Sequence, residues 1–204
     1  MGYAVTPYGY SVELPGDATE LPPLLTAAEF NAMTGNRWAG NQASVAMALA
    51  AASQAVRDHC KWHVAPVLTC RTTITPEGAR VLQLPCLHLA AITAATEEGQ
   101  DLDPAAFQIQ DEGIIRKADG SRFTCDWSGL TVTYRAGFPA SSLLQAIVAQ
   151  IAENRLAAPG GVREEHAGQV GITYNQTASG VSGGTTLLDR DREMLSAYKL
   201  PSRW

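Results

Sequence analysis

Asn41-Gln-Ala-Ser-Val-Ala-Met-Ala-Leu-Ala-Ala-Ala-Ser-Gln-Ala-Val-Arg-Asp-His-Cys-Lys-Trp62 carries the clearest periodic signal in the chain. Val45, Leu49, Ala52, Val56 and Cys60 recur at helical spacing, with Met47 and Ala48 beside them, which predicts an amphipathic helix. Its many alanines favour helix and permit close helix packing. Asn41 supplies a start signal. Pro66 closes the segment, because the residue before a proline is pushed out of helical geometry.

On the N-terminal side, Thr26-Ala-Ala-Glu29 fits a capping box and predicts a short helix, ended by Thr34-Gly-Asn36. Residues 1–24 carry Pro7, Pro15, Pro22 and Pro23 with Gly2, Gly9 and Gly16. They read as an extended arm whose Tyr3, Tyr8 and Tyr10 can lie on a neighbouring subunit. On the C-terminal side come short β runs bounded by Gly, Pro or Asp: Val67–Thr75, Arg80–Leu84, Ala90–Thr96, Phe107–Gln110, Gly113–Arg116 and Leu130–Tyr134. A second long helix follows Pro139, with a cap at Ser141 or Ser142 and an apolar face of Leu144, Ile147, Val148, Ile151 and Leu156. Pro159-Gly-Gly161 ends it. Residues 160–186 are a Gly/Ser/Thr-rich loop in which Val170–Tyr174 alternates weakly, and Thr186–Tyr198 reads as a terminal helix. The expected class is α+β and mainly helical: a bundle of two long helices and a C-terminal helix, with a small antiparallel β element. The expected organisation is an arm over 1–25, a core over 26–159, the loop over 160–186 and a helix with a docking tail over 187–204.

The chain has 204 residues, 46% hydrophobic and 17% charged, with a formal net charge of −5; the mean hydropathy is −0.06 and the pI about 5.3. This is a globular composition with enough length for its own core. The acidic balance argues against a dedicated nucleic-acid binder, which needs a cationic face. It does not exclude DNA passing nearby, since a channel for DNA must not grip phosphates. No apolar run reaches membrane-spanning length, and the first 17 residues lack the basic start and apolar stretch of a secretion signal, so the sequence reads as cytoplasmic.

His59, Cys60, His63, Cys70, Cys86 and His88 form the most tempting chemical cluster. His59 and His63 are four apart, the spacing of two metal ligands on one helix face. No Glu follows His59, no C-x-x-C pair exists and Pro66 breaks the helix, so the preferred reading has His63 near the carbonyls of a helix C-terminus. Cys60 or Cys86 with His88 could be imagined as a nucleophile pair, but buried thiols are the commoner outcome. Gly180-Val-Ser-Gly183-Gly184 lacks the lysine of a phosphate loop. The acidic pairs at 97–98, 101 and 103, 111–112 and 164–165 fall in turns or loops. No catalytic, cofactor-binding or metal-binding residues are assigned.

Ala55–Pro66, Leu84–Thr93, Gly113–Arg116, Trp127, Leu130–Phe138, the helix through Ile147 and Arg155, and Leu195–Trp204 resemble, in this order, segments of head-to-tail adaptor proteins of long-tailed bacteriophages, particularly those of actinobacteria. The resemblance runs over roughly residues 41–204. It implies a mainly helical structural subunit without catalysis or cofactor. Such a subunit forms a ring, commonly twelvefold, beneath the portal protein, touches a stopper or tail-terminator protein on its other side, and lets genomic DNA pass its lumen without specific binding. The implied location is the head–tail neck of the virion, with host cytoplasm during assembly and no membrane. Leu195, Tyr198, Leu200, Pro201, Arg203 and Trp204 are the expected portal interface, since Trp and Tyr anchor interfaces. A stopper or tail terminator is the alternative, and a zinc-binding module a further one.

Overall fold

A computed structural model describes residues 3–139, 141–157 and 187–201, together with the backbone of four short strands between 164 and 182. The chain divides into two compact units. One comprises Met1–Leu21, Lys61–Pro139 and Tyr198–Trp204, the other Pro22–Cys60 and Ala140–Ala197.

The first unit is built on β1 (Tyr3–Val5), β2 (Ser11–Glu13), β3 (Leu68–Ile74), β4 (Leu82–Gln83), β5 (Leu89–Glu97), β6 (Gln100–Leu102), β7 (Phe107–Ile109), β8 (Ile114–Lys117) and β9 (Leu130–Ala136). Six strands form one sheet in the order β1-β2-β3-β9-β5-β6, and three form a second in the order β4-β8-β7. Every pairing in both sheets is antiparallel. β9 lies inside the larger sheet because its sequence alternates cleanly. Leu130, Val132, Tyr134 and Ala136 are buried, while Thr131, Thr133 and Arg135 face away from the core. It pairs with β3 through seven residues, from Leu68↔Ala136 to Ile74↔Leu130.

β5 is less regular. Its buried residues Leu89, Ile92 and Ala95 are spaced by three, yet they face Ala136, Tyr134 and Val132 of β9, spaced by two. Register shifts after Leu89 and after Ile92 account for the extra residues, as bulges do. In the second sheet Phe107, Ile115 and Phe123 are buried, and the two phenylalanines stack at 6.3 Å. Gly113 sits at φ +84 with its Cα against Cys86, where a Cβ would lie 2.6 Å from the Cys86 carbonyl oxygen. Only glycine satisfies both conditions.

The second unit is helical: α1 (Ala27–Met33), α2 (Gln42–Cys60), α3 (Ser142–Ala157) and α4 (Asp189–Met194), with two backbone hairpins between α3 and α4, β10 (Glu164–Ala167) with β11 (Val170–Thr173) and β12 (Gln176–Ala178) with β13 (Val181–Ser182). α2 packs against α3. Val45, Leu49, Ala52 and Val56 are buried on one helix, Leu144, Ile147, Val148 and Ile151 on the other. The capping box forms as read: Glu29 N–H donates to Thr26 Oγ1 (3.2 Å) and Thr26 N–H to Glu29 Oε2 (2.9 Å). Arg57 is buried and donates from Nη2 to the Pro22 carbonyl at 2.6 Å. No helix among the described residues is long and apolar enough to cross a membrane.

Three expectations are corrected. The fold is not a mainly helical bundle with a small β element; nine antiparallel strands make up one unit by themselves. The strands that the sequence did not mark are β1, β2 and β6, three residues each, and the cross-strand partners that stabilise so short a run are distant in sequence. Residues 1–24 are not simply an extended arm. β1 and β2 form a hairpin, and Val12 pairs with Cys70 of β3. Pro7 and Gly9 are turn residues here: Thr6 N–H donates to the Tyr10 carbonyl at 2.9 Å and Gly9 has φ +83. The terminal helix is six residues long, followed by a 3-10 turn over Ser196–Tyr198.

Candidate functional site

The segment joining β8 to β9 is held along its length and presents one large side chain to solvent. Phe123 is buried. The Lys117 amine lies 5.2 Å from its ring centroid and 2.5 Å from Glu97 Oε2. The other Glu97 oxygen accepts Thr124 N–H at 2.8 Å. Beyond this, Asp126 N–H donates to Thr124 Oγ1 (3.0 Å), Ser128 N–H to Thr75 Oγ1 (2.9 Å) and Gly129 N–H to the Asp126 carbonyl (3.0 Å). Glu98 N–H donates to the Gly129 carbonyl at 2.8 Å, and the Thr124 hydroxyl donates to the Glu98 carboxylate. Three turns at one end of the larger sheet, 75–79, 97–100 and 124–129, are thereby tied together.

Trp127 stands on this platform with 88% of its surface exposed. Glu77, Glu98 and Asp126 on the same turns are exposed, and Arg122 also lies there, with Nη1 on the Gly78 carbonyl at 2.9 Å. A large aromatic side chain on a turn whose backbone is already ordered loses little further entropy if a partner covers it. A cleft of about 540 Å³ is lined by Glu97, Glu98, Lys117, Arg122, Phe123 and Thr124 among others. Trp127 is not among the site residues expected from sequence. The available signal is a tryptophan in the polar turn Asp126-Trp-Ser-Gly129, where burial is not anticipated.

The expected portal interface is dispersed. Leu195 is 0% and Leu200 2% exposed. The Tyr198 carbonyl accepts the Trp62 Nε1–H at 2.7 Å, and its ring packs edge-on against Phe138 at 5.0 Å. Pro201 is exposed, while Arg203 and Trp204 lie outside the described residues. Leu195, Tyr198 and Leu200 thus serve this chain's own packing.

The histidine and cysteine cluster also resolves into packing. His63 Nε2 lies 2.9 Å from the Ala136 carbonyl, which can only accept, so this nitrogen carries the proton. Nδ1 then accepts the Tyr10 hydroxyl proton at 2.8 Å, and the same hydroxyl oxygen accepts His63 N–H at 2.9 Å. The His63 ring thus meets a strand carbonyl. Burial pushes the Tyr10 phenol well above its ordinary range. It also raises the Cys70 thiol, with Cys86 nearby adding to the effect, and pushes the Cys86 thiol up to about 12. His88 rests against Phe138 at 4.9 Å. Among the described residues no group of three or more His, Cys, Asp or Glu side chains is placed to hold a metal ion.

The fold and site together define an α+β protein with an antiparallel β unit that displays a preordered tryptophan. No protein-family model and no curated protein matches the chain.

Proposed function

We propose that this protein is a structural subunit of a phage neck, a head-to-tail adaptor that assembles as a ring between the portal and a stopper or tail protein, around the path of the DNA. The ordered resemblance over residues 41–204 motivates the reading. The structural observation that carries it is Trp127, 88% exposed on a turn fixed by backbone hydrogen bonds, which is a surface made for docking. The net charge of −5 accords with a DNA passage that does not hold phosphates. The β unit departs from the mainly helical subunit that the resemblance implies; a stopper or tail terminator is the second reading.

Electron micrographs of assembled particles with this protein tagged test the proposal. Density at the neck is the expected result, and its absence there overturns both readings. Mixing with purified portal separates them: direct binding is expected of an adaptor, whereas binding only to an adaptor-loaded portal identifies a stopper.

A further inference from the structure

The Trp127 platform has a counterpart on the same unit: Thr73, on its border, is two residues from Thr75, which holds the Trp127 turn. On the face of the larger sheet turned away from its core, Arg71 of β3 lies over the Tyr3 ring of β1, its guanidinium carbon 6.0 Å from the ring centroid. Among the described residues Arg71 has no carboxylate partner. Tyr3, Gly9, Tyr10, Ser11, Arg71 and Thr73 line a recess of about 380 Å³ there, within the range of side-chain and ligand pockets. Val5, next along β1, is 84% exposed. The recess is therefore aromatic, edged by apolar surface and marked by one positive charge. The knob is aromatic and flanked by Asp126 and Glu98. The two surfaces are different, complementary in charge and carried by one chain, which is the requirement for head-to-tail association of identical subunits.

We infer that the Trp127 turn of one copy docks into the Tyr3–Arg71 recess of the next, with Asp126 facing Arg71. This deepens the adaptor reading and rests on it for the closing of the chain of copies into a ring. The contact itself follows from the two surfaces. Each copy carries one knob and one recess, so the contact can repeat from copy to copy. Arg71 and Asp126 are both exposed, so changing either leaves the core intact.

Sedimentation velocity on the full chain over a range of concentrations tests the contact. Wild type is expected to self-associate. Arg71→Glu and Asp126→Arg are each expected to weaken association by roughly tenfold or more, since each sets like charges against one another. An equimolar mixture of the two variants is expected to associate again: the cation introduced on the knob of one then meets the carboxylate introduced in the recess of the other, and the remaining knob and recess are the native pair. Trp127→Ala abolishes association without rescue by any charge variant. Wild type that stays monomeric at the highest soluble concentration overturns the inference. So does self-association unaffected by these variants, or variants whose loss the mixture does not repair. Neck density in particles carrying a protein whose association ignores all three changes sinks this contact and spares the adaptor reading. Association as described, with no density at the neck, does the reverse.

Discussion

Tyr10 and His63 show how single residues secure the N-terminal hairpin. The Tyr10 hydroxyl serves two His63 atoms at once, so Tyr10→Phe removes two buried hydrogen bonds. The expected cost is about 2–4 kcal/mol, read as a lower midpoint in urea unfolding. Thiol chemistry separates the cysteines. Cys125 is exposed, whereas Cys60, Cys70 and Cys86 are buried. Native protein should therefore titrate one thiol with an aromatic disulfide reagent and denatured protein four; a second fast thiol in native protein would contradict the burial. Cys86 also makes a pH prediction. Its thiol is raised from an ordinary 9.0 to about 12, so above pH 9 the unfolded chain loses a proton that the native state keeps. Its contribution is full below pH 9 and is lost as the pH rises toward 12, at up to about 1.4 kcal/mol per pH unit. Urea midpoints taken from pH 7 to pH 11 should fall at the alkaline end, and Cys86→Ala should lessen that slope. Little of this was legible beforehand: the sequence indicated buried thiols, but the partner of His63 is a carbonyl 73 residues away.

β5 and β9 set the lesson at the scale of elements. β9 was readable because strict alternation survives from Leu130 to Ala136. β5 was located but not phased, because each bulge moves the following side chains to the opposite face. A strict two-residue repeat from Ile92 puts Ala94 on the buried face; the bulged strand buries Ala95 and exposes Ala94. Ala94→Lys is therefore expected to alter stability by less than about 0.5 kcal/mol, while Ala95→Lys costs several, about 3 or more, or prevents folding. Thermal unfolding of the two variants decides it, and equal sensitivity would contradict the register. Helix starts and faces were legible for the opposite reason. The Thr26–Glu29 cap and the α2 and α3 apolar stripes depend on neighbours three or four residues away.

Across the whole molecule, the C-terminal segment changes role. Besides the portal role expected of it, it gives Leu200 to the protein's own packing and a carbonyl to Trp62. Deleting residues 198–204 should lower stability by about 2–5 kcal/mol through the lost leucine and the unpaired indole N–H. Unchanged denaturant unfolding of the truncated chain would restore the tail to a purely external role. The candidate site follows the same logic. Trp127 stood in plain sight as a residue, but its exposure became evident only when three turns distant in sequence proved to be bonded into one platform.

By itself the sequence determined the acidic, globular character, the capping of α1, the apolar faces of α2 and α3 and the alternation of β9, because each depends on composition or on residues a few positions apart. Only the tertiary structure decided that two sheets, nine strands in all, form a unit of their own, that the N-terminal stretch enters the larger sheet, and that Leu195 and Leu200 are buried while Cys125 and Trp127 are displayed. Those outcomes depend on strand partners and burial contributed by residues tens of positions away, and a local pattern carries no record of them.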